Sequence, residues 1–337
     1  MIPPPTLSVC IPTYNRLHYL KEALAVLLPQ AELHGVEVCI SDNRSTDGTS
    51  QYLAALVSKG APALRYVVQV ENIGLDRNMM ASICMGSGQY IYPIGDDDLL
   101  PDGSLRKILE EVKKSCDLLI LNGWHTDPTL APKRKHLSDD IAGASFSQPD
   151  QAFLALWDKM PFGSFLASRD CFAINYFKRY IGTSHAYAGS VWDALADRTK
   201  AEGGCMVRCM EVPTVLLRGA EKSWSKNAAA VMLYEIPVWF ALLSEKDAYS
   251  HTAPLVRRTY MANQTRLLSL AQFRVIGQLD NARLSNLCRE CSKVQKLKVA
   301  LIANTPRVVL MTLIKARGAL KSIWELINNS ACRRSAY

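Results

Sequence analysis

The first 122 residues alternate between short apolar runs and longer segments with helical periodicity. The apolar runs are rich in β-branched and aromatic residues, which favour strands, and lie at 7–12, 36–41, 64–70, 89–94 and 116–122. The segments between them, at 16–28, 49–59, 75–86 and 103–115, repeat apolar residues three or four positions apart. Because parallel strands need crossover connections of this kind, the pattern predicts an α/β domain with a largely parallel sheet.

Polar clusters follow three of the predicted strands. They are PTYNR (12–16), SDNRSTDG (41–48) and GDDD (95–98). Because the carboxyl ends of parallel strands meet at one edge of a sheet, the clusters predict a nucleotide site there. The chain has no G-x-G-x-x-G after the first strand and no G-x-x-x-x-G-K-[ST], so neither a dinucleotide fold nor a P-loop is supported.

The third cluster contains Asp96, Asp97 and Asp98 side by side. Adjacent carboxylates repel one another and each prefers water, so a solvated turn is the simpler interpretation. Their position at the carboxyl end of a predicted core strand favours a ligand site instead. Oxygen ligands concentrated at one point suit a hard divalent cation that also holds phosphates.

Four motifs of the first half stand in a fixed order. They are SVCIPTYNR at 8–16, CISDNRSTDGT at 39–49, NIGLDRN at 72–78 and GDDDLLPDGSL at 95–105. In this order and spacing they resemble the nucleotide-sugar domain of family-2 glycosyltransferases, which have the GT-A fold, over about residues 6–125. Two further segments, YIGTSHAYAG at 180–189 and VLLRGAEKSW at 215–224, resemble a narrower group, the abequosyltransferases of O-antigen synthesis.

The resemblance implies a donor site for a nucleotide sugar. The residues expected in it are Pro12, Thr13, Tyr14, Asn15, Arg16, Asp42, Asn72, Gly74, Arg77, Asp96 and Arg218. Asp42 is expected at the base or the ribose. Arg77 is a candidate for the diphosphate because a guanidinium matches phosphate geometry, and a surface ion pair with Asp76 is the alternative. Asp47 and Gly48 precede a helix and are predicted to supply turn and cap chemistry.

The family pattern D-x-D-D aligns Gly95 with its first Asp. Asp96 then takes the variable position, and Asp97 and Asp98 match the last two. Asp97 and Asp98 are therefore the expected ligands of Mg²⁺ or Mn²⁺, with Asp97 the first choice and Asp96 or Asp98 in support. An ion between these carboxylates and the diphosphate would neutralise the departing nucleotide.

The acceptor side is expected after a loop or short hairpin at 125–150. Many family members begin a helix there with an acidic pair whose carboxylate deprotonates the acceptor hydroxyl, and this chain lacks a Glu-Asp pair in that segment. His185 and Asp193 are the candidate catalytic bases, with Asp197 nearby. His185 has a suitable intrinsic pKa, and a loop histidine bonded to backbone is the alternative. Asp193 is predicted to start a helix, where it would alternatively favour the N-terminus.

The C-terminal region is strongly basic. Residues 251–337 contain 15 Lys and Arg against 3 Asp and Glu, a net charge of +12 in a chain whose total is +8. Without a zinc-finger or RNA-binding motif, this favours an anionic membrane surface over nucleic acid. Residues 307–327 place apolar side chains, including Leu310, Ile314 and Trp324, at helical spacing between basic ones. They predict a helix lying in an anionic lipid interface, and a helix packed on the domain is the alternative.

Export and membrane-spanning signals are missing from the sequence as given. No uncharged apolar run approaches 18 residues, and the start, MIPPPTLSVCIPTYNR, has neither a basic nor a signal-like apolar region. We expect an unexported protein, peripheral on the inner face of the cell membrane. Cys288 and Cys291 form a C-x-x-C without a second pair or a His cluster, so reduced, mostly buried thiols are expected rather than zinc.

These observations predict three regions: a nucleotide-sugar-binding half at 1–125, an acceptor-binding half at 126–230 and a helical, basic region at 231–337. The predicted function is metal-dependent transfer of a sugar to a lipid-linked oligosaccharide in O-antigen or other surface polysaccharide synthesis. A dideoxyhexosyl donor such as CDP-abequose competes with UDP- and dTDP-sugars. A non-catalytic nucleotide-sugar-binding protein on the same fold is the alternative, because the acidic pair is missing and the D-x-D pattern is altered.

Overall fold

A computed structural model describes residues 4–219, 227–280, 282–283 and 292–316. These residues divide into two compact units. The first unit contains 4–219 and 239–254, and the second contains 227–238 and the described residues after 254.

The first unit is built on a sheet that has nine strands in the described part of the chain. In chain order they are β1 (Leu7–Thr13), β2 (Glu37–Asp42), β3 (Leu64–Val68), β4 (Tyr90–Pro93), β5 (Leu118–Thr126), β6 (Pro132–Lys135), β7 (Ser145–Phe146), β8 (Phe165–Ser168) and β9 (Val207–Arg218). The spatial order is β3-β2-β1-β4-β8-β5-β9-β7, and β6 pairs with β5.

The N-terminal half of this sheet confirms the predicted α/β fold. Strands β3, β2, β1 and β4 pair in parallel. They are connected and followed by α1 (Leu17–His34), α2 (Thr49–Ser58), α3 (Leu75–Met85) and α4 (Ser104–Val112). Every residue of β1 is buried, as its continuous apolar sequence requires of a strand covered on both faces.

The second half of the sheet brings the end of β9 to the edge where the polar clusters lie. Strand β8 lies antiparallel between β4 and β5, and β9 runs parallel to β5. After two reversals β9 again points the same way as β4, so Arg218 at its end reaches the edge where β1, β2 and β4 end. A bridge between Leu99 and Leu216 fixes the segment after β4 on β9. Strand β6 folds back on β5, which confirms a short hairpin within 125–150.

The helices of the second half are α5 (Pro149–Leu156), α6 (Ile174–Arg179) and α7 (Ala186–Glu202). His185 is the N-cap of α7, and Asp193 lies about two turns inside it. The expectation that Asp193 starts a helix is therefore wrong. The reason is that the small and apolar side chains of 186–192 are themselves buried in the helix, so the helix begins well before the first acidic residue.

The C-terminal part of the described chain is helical. It contains α8 (Ala228–Ala230), a π-helical turn (Val231–Glu235), α9 (Ile236–Leu243), α10 (Thr252–Gln264), α11 (Leu267–Val275), α12 (Lys293–Asn304) and α13 (Arg307–Ala316). A capping box formed by Ser292 and Gln295 sets the start of α12. Within the described residues, no single helix has the length and apolar character needed to cross a membrane; α12 and α13 reach them only together, with a 107° bend between them.

Helices α12 and α13 place their apolar side chains differently from the predicted lipid-facing stripe. Leu310 is only 4% exposed and Ile314 is half-buried, so the expectation that Leu310 inserts into lipid is wrong. Exposed apolar side chains lie on both helices: Leu297 is 73% exposed on α12, where Val294 and Leu301 are also exposed, and Val308 and Leu313 are exposed on α13. Trp324 lies outside the described residues.

The described cysteines are all free, and every one except Cys84 is buried. This agrees with the expectation of reduced, buried thiols. Cys288 and Cys291 lie outside the described residues.

Candidate active site

The first polar cluster is anchored on the second. Asn15 Oδ1 accepts a hydrogen bond of 2.7 Å from the Thr46 amide, and the Asn15 amide donates one of 2.9 Å to Ser45 Oγ. Asn15 has a left-handed backbone with φ 54°, a conformation that asparagine tolerates better than most residues. The loop after β1 is therefore fixed on the loop after β2, with Pro12 and Thr13 buried beneath it and Tyr14 40% exposed.

Asp47 joins the same two loops to their helices. Its Oδ2 accepts a hydrogen bond of 2.9 Å from the Leu17 amide at the start of α1. Its Oδ1 accepts from the hydroxyl and the amide of Thr49 at the start of α2. The predicted turn and cap role of Asp47 is confirmed.

Asp42 is fully buried at the end of β2. Its Oδ1 accepts a hydrogen bond of 2.9 Å from the Ser45 amide, whereas its Oδ2 has no hydrogen-bond partner among the described residues. A buried carboxylate oxygen without a partner is costly, which suits an oxygen that receives a donor from a ligand.

The third motif packs against the second. Asn43 donates to Asn72 Oδ1 at 2.9 Å and accepts from the Ile73 amide at 2.9 Å. Asn72 Oδ1 also accepts from the amide of Gly74, whose φ of 82° is a backbone conformation that glycine adopts readily. The structure thus gives Asn72 a role in shaping the turn. Arg77, in the first turn of α3, is exposed.

The carboxylate triplet is buried, which rules out a solvated turn. Thr13 Oγ1 donates a hydrogen bond of 2.7 Å to Asp96 Oδ2. Arg16 Nε lies 3.0 Å from Asp96 Oδ1, and Arg16 Nη2 lies 2.6 Å from Asp97 Oδ2. Burial raises the pKa of Asp96 to about 7, and the opposing charge of Arg16 only partly offsets it.

Arg218 meets the triplet from the end of β9. Its amide donates to Asp98 Oδ1 at 2.9 Å, and its Nε donates to the Asp97 carbonyl at 2.8 Å. Its guanidinium also pairs with Glu22 of α1. Arg218 was expected at the donor site, and the structure brings it to the same edge of the sheet as the triplet.

Two residues of α1 were missed by the sequence reasoning. The Tyr19 ring has the guanidinium of Arg16 4.8 Å from its centroid and that of Arg218 5.1 Å from it, and Glu22 pairs with Arg218. Arg16, Tyr19 and Glu22 are spaced three apart at the start of a predicted helix, so they share one face. That spacing was the available signal.

The chemistry of the triplet fits a divalent cation. The space that a Cβ at Gly95 would fill is bordered by Asp97 Oδ1 at 2.9 Å and Asp98 Oδ2 at 3.1 Å. Two carboxylate oxygens thus face one small space, and any side chain at position 95 would press on them. In the described part of the chain, no three His, Cys, Asp or Glu side chains are grouped to hold a metal, so further ligands would have to come from the substrate.

The candidate base His185 lies in an aromatic environment. Its ring stacks on Tyr187 with 5.8 Å between centroids and lies 5.6 Å from Trp239. Burial lowers the pKa of His185 to about 4, although hydrogen bonds with the backbone of Thr183 and Ser184 act to raise it. The ring is therefore neutral at pH 7. Its Nδ1 has no hydrogen-bond partner among the described residues.

A chain of contacts connects His185 to the triplet. A Cβ at Gly163 would lie 2.4 Å from Asp98 Oδ2, and the φ of 91° there also favours glycine. The neighbouring Phe162 ring lies 5.3 Å from Tyr187, which stacks on His185. Gly163 and Phe162 carried no signal in the sequence, whereas Tyr187 lies in the YIGTSHAYAG segment.

Asp76 holds the loop that carries His185. The Asp76 side chain is buried, and its Oδ2 accepts hydrogen bonds from the amides of Gly182 at 2.8 Å and Ser184 at 3.2 Å. Both donors have positive φ, so the carboxylate stabilises an unusual backbone. This role replaces the surface pairing with Arg77 considered for Asp76.

Asp193, the other candidate base, is only 1% exposed. Its Oδ1 accepts from the Tyr180 hydroxyl and its Oδ2 pairs with Arg179, both at 2.6 Å. Burial raises the pKa of Asp193 against these hydrogen bonds. Both oxygens are used to fix α6 on α7, so this geometry does not support Asp193 as a base.

The family model for glycosyl transferase family 2 matches residues 8–176, half of the chain. The chain therefore belongs to this family and is a glycosyltransferase.

Two curated relatives illustrate the family. The abequosyltransferase RfbV of Salmonella typhimurium is 29% identical over 237 residues, which span 66% of this chain and 70% of the relative. The GalNAc(5)-diNAcBac-PP-undecaprenol beta-1,3-glucosyltransferase of Campylobacter jejuni is 24% identical over 147 residues, which span 44% of this chain and 45% of the relative.

A solved structure supports the GT-A fold. Residues 1–349 of S. aureus TarS in complex with UDP-GlcNAc superpose with a TM-score of 0.53 at 14% identity. The match covers 88% of this chain and 90% of that one.

Proposed function

We propose that this glycosyltransferase moves a sugar from a nucleotide-sugar donor to a lipid-linked oligosaccharide in the synthesis of O-antigen or a related surface polysaccharide. The observation that carries the proposal is the buried carboxylate triplet, which stands at the same sheet edge as Asp42. Residues 1–125 would bind the donor, residues 126–230 the acceptor, and residues 231–337 the membrane surface.

The donor half has groups for each part of a nucleotide. Asp42 would accept a hydrogen bond from the base or the ribose through its Oδ2, and the exposed Tyr14 ring would stack on the base. The exposed guanidinium of Arg77 would face the diphosphate, since its fork matches phosphate oxygens. Pro12 and Asn15 would shape the loop that presents these groups.

Asp97 and Asp98 would hold Mg²⁺ or Mn²⁺ through the oxygens that border Gly95. When bound, the ion would supply positive charge to the diphosphate as it leaves. Asp96 would support them, held by Thr13 and Arg16. Arg218 would fix Asp98 and the backbone of Asp97 in place.

His185 would accept the proton of the acceptor hydroxyl. Its low pKa keeps the ring neutral and able to accept a proton at pH 7, although it also makes the base weak. Asp76 would position the His185 loop. Asp193 is not part of this proposal, because both its carboxylate oxygens are already bound.

A dideoxyhexose such as abequose is the favoured donor sugar. The support is the similarity to an abequosyltransferase together with the YIGTSHAYAG segment, in which Tyr187 and His185 border the site. A UDP- or dTDP-sugar for another surface glycan is the alternative.

The lipid-linked acceptor is supported by the undecaprenol named for the Campylobacter relative. The net charge of +12 on 251–337 would draw this region to anionic headgroups at the inner face of the cell membrane. The exposed apolar side chains of α12 lie between Lys293, Lys296 and Lys298, a composition that favours a lipid interface.

The chain departs from the family pattern at Gly95, the first position of the D-x-D pattern, and in the missing acidic pair. Incubating the purified protein with nucleotide sugars and a lipid-linked acceptor, with and without Mn²⁺, tests the proposal. Metal-dependent release of nucleotide supports the proposed reaction, whereas nucleotide binding without release contradicts it.

A further inference from the structure

Arg16 spans two carboxylates of the triplet. Its Nε and Nη2 contact Asp96 and Asp97 at 3.0 and 2.6 Å, and the three side chains are largely buried. Thr13 also holds Asp96. One guanidinium is therefore shared by two carboxylates in a site with little water to screen them.

The two oxygens of Asp97 face different neighbours. Oδ2 contacts Arg16, while Oδ1 borders the space beside Gly95 together with Asp98 Oδ2. A divalent ion held at Asp97 Oδ1 would share the charge of this carboxylate with the guanidinium. Two cations that draw on one buried carboxylate weaken each other's binding.

The neighbouring carboxylates of Asp96 and Asp98 supply only part of the negative charge that a metal ion and Arg16 would both draw from Asp97. Asp98 Oδ1 is already engaged by the Arg218 amide, and Asp96 is engaged by Thr13 and Arg16. A diphosphate brings additional negative charge that a metal ion and a guanidinium can share, as in other phosphate sites.

We propose that Arg16 competes with the divalent metal for Asp97 in the donor-free enzyme, and that the diphosphate of the donor removes this competition. The inference rests on the proposed function, because it takes Asp97 as a metal ligand and a nucleoside diphosphate as the anion. Metal alone then binds weakly, and metal and nucleotide strengthen each other's binding.

The test is a titration of the purified full chain with Mn²⁺ alone, in which electron paramagnetic resonance measures free Mn²⁺. Arg16→Gln is compared with the wild type and with Arg106→Gln. Arg106 pairs with Glu110 on the exposed surface of α4, so this control removes an ion pair of the same chemistry away from the site. We expect Arg16→Gln to bind Mn²⁺ about tenfold more tightly than the wild type, a usual size for such coupling, and Arg106→Gln to match the wild type.

The same titration with saturating CDP or UDP gives the second readout. The difference between Arg16→Gln and the wild type should then fall to about threefold or less. Should Arg16→Gln fail to fold, Arg16→Lys keeps one positive charge without the two-pronged contact and should bind Mn²⁺ with intermediate affinity.

Two outcomes overturn the inference, and they are distinguishable. If Arg16→Gln binds Mn²⁺ alone no more tightly than the wild type, Arg16 does not compete and the metal-dependent function stands. If none of the proteins binds Mn²⁺ with or without nucleotide, the metal assignment in the proposed function fails as well.

Discussion

Thr13 at the end of β1 donates a hydrogen bond of 2.7 Å to Asp96 in the loop after β4. This contact joins the first and fourth motifs of the chain. It is possible because β1 and β4 are neighbouring parallel strands that end at the same edge. Motifs that are far apart in the sequence therefore form one polar site.

Asp97→Asn tests the metal assignment. The substitution keeps the shape of the side chain but removes a negative charge, so the fold should survive and transfer should fall by about 10²-fold or more. Initial rates at increasing Mn²⁺, with circular dichroism for folding, measure both effects. If Asp97→Asn kept full activity and Asp98→Asn were inactive, the principal metal ligand would be Asp98 and not Asp97.

Asp42→Asn tests the proposed binding site for the nucleobase or ribose of the donor. Replacing the carboxylate that has an unpartnered oxygen should weaken nucleotide binding by about 10- to 100-fold, the usual value of a hydrogen bond to a charged group. Thermal stability should be unchanged or higher, because a costly buried charge is removed. Calorimetric titration with CDP and UDP, together with a melting curve, tests this; retained affinity with lost stability would make Asp42 structural.

His185→Ala tests the proposed catalytic base. If His185 is the base, turnover of the variant should fall by about 10²- to 10⁴-fold, while its nucleotide affinity stays near that of the wild type. The pKa of His185 is lowered to about 4, so its neutral, proton-accepting form persists well below pH 6.5. The acid limb of kcat/KM in the wild type should therefore fall near pH 4, and a limb near pH 6.5 or normal turnover in His185→Ala would remove the assignment.

Asp193→Ala is the matched comparison for His185→Ala. The buried Tyr180 and the partly buried Arg179 would lose a charged partner, so the free energy of unfolding should fall by about 3 kcal/mol. Turnover per folded molecule should change far less than in His185→Ala. A stable variant without activity would return Asp193 to the catalytic site.

Substitutions of the exposed apolar side chains of α12 test membrane attachment. Changing Val294, Leu297 and Leu301 to Ser should weaken flotation with anionic liposomes while folding and nucleotide binding survive, because these side chains are exposed. The matched change of Val299 and Ile302, which are buried on the same helix, should destabilise the protein instead. High salt should also weaken attachment of the wild type, and no binding to anionic vesicles at low salt would contradict the proposal.

The sequence was sufficient for the parallel half of the fold. Strands β1 to β5 and helices α2 to α4 begin and end within a few residues of the predicted segments, because apolar periodicity and short polar connections act locally. Helix α1 begins where predicted but continues to His34, past the predicted end at residue 28. The position of Arg218 depends on pairing between β4, β8, β5 and β9, which are far apart in the chain. Periodicity carries no information on such pairing.

The predicted site residues show the same division. Thr13 and Arg16 meet Asp96 of the triplet, and their motifs at the ends of neighbouring predicted strands made this predictable. Arg218 joins the triplet through the long-range pairing of β9. The position of Asp193 was misjudged because the buried residues 186–192 already belong to the helix. The exposure of Leu310 was misjudged because a helical pattern shows which residues share a face without showing which face is buried. The roles of Asp76 and Gly163 depend on loops from the second half and left no trace in the sequence.

The most direct test of the account is mass spectrometry of the acceptor after incubation with a panel of nucleotide sugars. The wild type, Asp97→Asn and the wild type with EDTA are compared, with a lipid-linked oligosaccharide as acceptor and CDP-, UDP- and dTDP-sugars as donors. The account predicts a mass increase of one sugar residue with the wild type and Mg²⁺ or Mn²⁺, and little or none with Asp97→Asn or EDTA. Equal transfer in all three reactions would contradict the metal-dependent site built on the triplet, and no transfer from any donor would contradict the proposed activity.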